Sequence, residues 1–157
     1  MLAMPALASA HAGSKSFAET YPVASRLCAN IERGSGPKRL RASAAQVTAD
    51  CSALRLSFNT AHTTVLAARL RIARTAAADR TAAALECAGA LTHKPSCTKA
   101  RTKETLELQH LLAQRKSANH AYYRAAESAR VTFWNAIQAL PGGKGIAPDK
   151  PIKPLSD

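Results

Sequence analysis

Residues 87–97 read Cys-Ala-Gly-Ala-Leu-Thr-His-Lys-Pro-Ser-Cys, and this stretch decides the fold. Gly89 and Pro95 each interrupt a helix, and a cysteine stands on either side of the interruption. Upstream, Ala44, Val47, Cys51, Leu54, Phe58, Ala61, Val65, Ala68 and Ile72 recur at alternating steps of three and four. That spacing is the seam of one helix packed on another. A second stripe (Leu66, Leu70, Ala73, Ala77) flanks the seam. Downstream, Leu108, Leu111, Leu112, Ala118, Tyr122, Ala126, Ala129, Phe133, Ile137 and Leu140 mark a second helix, closed by Pro141-Gly142-Gly143. Ser96 or Thr98 is the expected cap of that helix.

The two arms match in length. With a bend at Leu91–Ser96 centred near Thr92, residues equidistant from it face each other: Leu140 meets Ala44, and Cys87 meets Cys97. At 1.5 Å per residue each arm runs on the order of 70 Å. The expected fold is all-α: an elongated antiparallel helical hairpin, coiled-coil-like, with a short N-terminal helix and two disulfides. Helices are expected at about 21–33, 43–89 and 97–140. Pro22 suits the first position of the short helix, and Gly34-Ser35-Gly36-Pro37 ends it.

Cys87–Cys97 follows from the facing rule, which leaves Cys28 with Cys51. The second bridge would tie the short helix to the open end of the hairpin. The same rule gathers Tyr21, Phe58, Phe133 and Trp134 there, and sets Glu104 opposite Arg80 as a candidate ion pair. Aromatics are 4% of the chain and Ala is abundant, so the core is expected to be thin.

The N-terminal residues 1–12 end in Ala8-Ser9-Ala10-His11-Ala12, which resembles the cleavage region of a secretory signal peptide without a basic n-region. Together with an even number of cysteines, this points to a secreted or cell-envelope protein. The competing possibility is an intracellular, nucleic-acid-associated basic helical protein with reduced cysteines. Residues 13–141 form the expected helical domain. Residues 142–157, with Pro148, Pro151 and Pro154 between lysines, are expected to be a disordered tail.

Catalytic chemistry finds no support. No Gly-x-Ser-x-Gly turn is present, the acids are few and scattered, and the cysteines lack zinc spacing. His62 is expected near Tyr122 and His120, but no carboxylate accompanies them, and boundary histidines explain them better than a metal or haem site. No cofactor is expected.

Charge is the most informative surface property. The formal net charge is +12. Between Cys51 and Ala78 there are Arg55, Arg69, Arg71 and Arg74 without an acid, and between Leu108 and Ala126 there are Arg115, Lys116 and Arg124 without one. Arg69, Arg71, Arg74, Arg115 and Lys116 are the candidate anion-binding residues. They suit an anionic polymer, a membrane surface or a protein partner. Specific DNA readout does not suit a hairpin with such long arms. The extra apolar stripe also allows a homodimer through helix packing.

Overall fold

A computed structural model of the chain describes residues 15–88 and 95–153. The element order is α1 (Phe17–Thr20), α2 (Pro22–Glu32), α3 (Lys38–Arg41), α4 (Ala44–Cys87), α5 (Pro95–Ala139) and a 3-10 turn at Gly143–Gly145. No strand occurs among the described residues. The two long helices, of 44 and 45 residues, pack as the expected hairpin. The candidate signal region and most of the bend (89–94) lie outside the described residues.

The seam is the predicted one. Val47, Cys51, Leu54, Phe58, Val65 and Ile72 of α4 are buried, as are Leu108, Leu111, Tyr122, Ala126, Phe133 and Ile137 of α5. The flanking stripe is not: Leu70 is 51% exposed, Ala73 and Ala77 are exposed, and Leu112 of α5 is 57% exposed. Two helices bury one strip each, so a wider apolar face has nothing to cover it within the chain. Neither Ser96 nor Thr98 caps α5. The helix already includes Pro95, so both lie inside it.

Both disulfides form as paired from the sequence. Cys28–Cys51 has Cα atoms 5.8 Å apart, and Cys87–Cys97 has them 4.7 Å apart. Such bonds form and persist in oxidising compartments. Among the described residues, no helix is long and apolar enough to cross a membrane.

The chain divides into two compact units. One holds described residues 65–88 and 95–120. Its buried cluster is Ile72, Ala76, Leu108 and Leu111, and the Cys87–Cys97 bridge lies within it. Glu104 does not pair with Arg80 but with Arg101, three residues earlier on its own helix, at 3.1 Å. A local i,i+3 partner needs less side-chain ordering than one on the facing helix.

The other unit holds described residues 15–64 and 121–153. Here α2 turns Ala24, Leu27, Cys28 and Ile31 inward, at the three- and four-residue steps of one helix face. Tyr21, Phe58, Phe133 and Trp134 are all buried in this unit, which also holds the Cys28–Cys51 bridge. Phe17, Tyr21 and Phe58 make edge-on contacts at 5.4–5.9 Å, while Phe133 and Trp134 pair at 5.1 Å. Two short helices escaped the sequence reading. α1 carries a complete capping box, with Ser16 and Glu19 exchanging hydrogen bonds, and α3 buries Leu40.

The largest departure is the segment after Pro141. The expected disordered tail is an ordered strap through Lys153; residues 154–157 lie outside the described residues. Gly142 adopts a left-handed φ of 86°, and a Cβ on Gly143 would run into the Ile137 carbonyl. These glycines let the chain leave α5 in a tight turn. Asp149, only 3% exposed, then fixes the strap. Its Oδ1 accepts from the Val23 N–H at 2.7 Å, and its Oδ2 from the Ala24 N–H at 3.0 Å and Trp134 Nε1 at 3.1 Å. Tyr21, the N-cap residue of α2, offers no side-chain cap, so a carboxylate 125–126 residues away in sequence satisfies the first helical donors. Pro-rich composition does not report such a partner.

Candidate functional site

The five candidate anion-binding residues all lie in the 65–120 unit. Arg69 is half-buried. Its Nε and Nη2 both donate to Asn119 Oδ1, at 3.1 and 2.8 Å. The sequence placed Arg69 opposite Arg115; the guanidinium instead reaches one turn further along α5, to a neutral acceptor that charge counting could not flag. An amide orients the guanidinium without cancelling its charge. Arg71 and Arg74, three residues apart on α4, are exposed. On α5, Arg115 is half-buried and Lys116 exposed.

Three other arginines form ion pairs. Arg55 pairs with Glu32 at 2.7 Å, Arg130 with Glu127 at 2.6 Å, and Arg101 with Glu104. Arg55 also lies 5.8 Å from the Phe17 ring centroid, a cation–π distance. The Glu127–Arg130 pair has a structural task. Arg130 Nη1 donates to the Asp149 carbonyl and the Ile152 N–H donates to Glu127 Oε2, both at 2.9 Å, so the pair grips the strap backbone. The Arg130 hydrogen bonds hold the Glu127 carboxyl below its ordinary pKa, and the same contact raises that of Arg130. Burial pushes the Tyr21 hydroxyl well up; it donates to the Ala126 carbonyl at 2.9 Å.

His62 is placed near Tyr122 as expected, with ring centroids 6.4 Å apart, and it stacks on Phe58 at 5.4 Å. Its Nε2 is buried without a hydrogen-bond partner. Among the described residues, no group of three potential ligands could hold a metal ion.

Each unit also has an open groove between α4 and α5. In the 15–64/121–153 unit it encloses about 370 Å³ and is lined by small and short polar residues, including Asp50, Ala53, Ser57, Ser128 and Thr132. In the 65–120 unit it encloses about 570 Å³. Every acid among this unit's described residues (Asp79, Glu86, Glu104 and Glu107) lines it, together with Lys99 and Lys103. The sequence reading saw these acids as scattered, because they lie at opposite ends of two helices in the chain. No family model, curated protein or solved structure matches this chain.

Proposed function

We propose that the protein is a non-enzymatic binding module of the cell envelope or the extracellular space, and that its basic side chains hold an anionic polymer. One observation carries this reading. Arg69 is fixed by the Asn119 amide, and exposed Arg71 and Arg74 follow it on α4, in a stretch from Cys51 to Ala78 that contains no acid. A guanidinium oriented by a neutral group keeps its full charge for a phosphate, sulfate or carboxylate ligand, which it can meet in a bidentate manner. The disulfides support the compartment, because thiols in a reducing cytosol stay reduced.

Chromatography on immobilised heparin tests it. The wild type is expected to bind and to elute with added salt, since exposed charges are screened beyond about 10 Å at 0.1 M. A variant with Arg69, Arg71 and Arg74 changed to Ala is expected to elute at clearly lower salt. A second variant with Arg26, Arg33 and Lys38 changed to Ala carries the same loss of charge elsewhere and is expected to elute close to wild type. Absence of retention, or equal losses in the two variants, would refute the assignment.

A further inference from the structure

We infer that one side of the 65–120 unit, where Leu70 and Leu112 stand exposed on the same side as Arg69, docks on the surface of an anionic lipid bilayer. The inference rests on reading Arg69 as an anion site and deepens it: the anions are lipid phosphates arrayed in a plane, with acyl chains beneath them.

The Arg69–Asn119 hydrogen bond defines this surface, because it joins a face of α4 to a face of α5. On α4, Leu66 and Ala73 lie one turn to either side of Arg69, and Leu70 and Ala77 complete their stripe at helical steps. On α5, Lys116 and Leu112 lie three and seven residues before Asn119, on the same face as its side chain. The Cys87–Cys97 bridge sets the register of the two helices, and it brings Leu112 level with Ile72, about 3 Å along the axis from Leu70. Leu70 and Leu112 are each more than half exposed, and Leu66 is half-buried. A single exposed leucine is ordinary, whereas several on one side of one helix pair make an apolar surface.

The charge of this side names what covers it. Arg69, Lys116 and Arg80, three residues after Ala77, lie on it. The acids do not. All four acids among the unit's described residues line the groove on the other side of the helix pair. At about 100° per residue, Ala77 lies to one side of buried Ala76 and Asp79 to the other; Leu112 and Glu107 are divided in the same way by buried Leu108. The surface thus combines apolar side chains with positive charge and no acid. A second copy of it would be repelled. A soluble polyanion would neutralise the cations and leave the leucines in water. An anionic bilayer satisfies both, with the leucines below the headgroups and the cations at the level of the phosphates.

Co-sedimentation with vesicles of equimolar phosphatidylcholine and phosphatidylglycerol tests this, with vesicles of phosphatidylcholine alone as reference. The wild type is expected to bind the anionic vesicles and not the neutral ones. L70S/L112S is expected to bind about tenfold more weakly, because two leucines no longer enter the lipid, and to elute from heparin like wild type. Each single substitution is expected to weaken binding about threefold. L56S/L106S removes two other exposed leucines, which stand two residues from the buried Leu54 and Leu108 and therefore on the far side of each helix. That variant is expected to bind like wild type. Circular dichroism reports whether each variant keeps its helices. Vesicle binding that ignores L70S/L112S in a chain still retained on heparin refutes this inference alone and leaves a plain polyanion binder. A wild type that binds neither heparin nor vesicles refutes the anion reading as well. Equal losses in the two leucine variants would also overturn the assignment. So would a wild-type dimer in sedimentation equilibrium that L70S/L112S converts to monomer, since a second copy would then cover this side.

Discussion

Asp149 has three donors on its carboxylate, and all of them lose their partner in Asp149→Ala. Leaving buried N–H groups unsatisfied costs roughly 1–3 kcal/mol for each group. Relaxation of the strap offsets part of that, and a net loss of about 3 kcal/mol is expected in urea denaturation. Trp134 is the single tryptophan and is itself one of the donors, so its fluorescence reports the change directly. Gly143→Ala should cost about 1–3 kcal/mol by forcing a methyl group against the Ile137 carbonyl. Glu127 gives a pH signature. Its carboxyl pKa is depressed in the folded chain, so its contribution is fully present above the ordinary carboxylate range and is lost as pH falls through the folded value. Glu127→Gln is therefore expected to be less stable than wild type at neutral pH and to converge with it in strong acid, measured as thermal midpoints across pH. Gly143 was legible as part of the Pro141-Gly142-Gly143 stop, but the role of Asp149 was not. Its partners lie on other elements, and neither Pro-rich composition nor a local pattern encodes a contact between residues 23 and 149.

The long helices were legible because their signal repeats. Nine seam positions in α4 fix its phase, and a facing rule with one free parameter places Cys87 on Cys97 and His62 near Tyr122. α1 and α3 were not, because four residues cannot display a period. The two ends of α4 depend on different supports. In the 65–120 unit the helices are joined by the small buried cluster and the Cys87–Cys97 bridge. In the other unit α2, the strap, the Tyr21–Ala126 hydrogen bond and the Cys28–Cys51 bridge all bear on the pair. Replacing Cys87 and Cys97 by Ser is expected to cost about 2–3 kcal/mol. Hydrogen exchange of that variant should show residues 76–87 and 97–108 losing protection while 126–137 keep theirs. Loss of protection first at 126–137 would contradict this ordering.

At the scale of the whole molecule, composition established a strongly basic, all-helical chain with paired cysteines, and it could not distribute the charge. Counting residues finds the acid-free runs but not the Asn119 amide that orients Arg69, nor the gathering of Asp79, Glu86, Glu104 and Glu107 on one groove. Both depend on which turn of α4 faces which turn of α5. An excess of +12 also repels itself. Added salt is therefore expected to raise the thermal midpoint modestly while it releases a bound polyanion. A calorimetric scan with and without salt, set beside heparin elution, separates the two effects.

The Asp149 strap also has a kinetic meaning. Val23 and Asp149 are 126 residues apart in the chain, whereas the Cys87 and Cys97 arms meet across ten. Contacts of short sequence separation close early, and those that join the chain's distant parts wait for the rest to be in place. The strap is thus a late contact, absent from the folding transition state. Asp149→Ala should leave the refolding rate of the disulfide-intact protein almost unchanged and put nearly all of its cost into faster unfolding. The carboxylate that caps α2 from the far end of the chain then acts chiefly as a latch on the native state's lifetime.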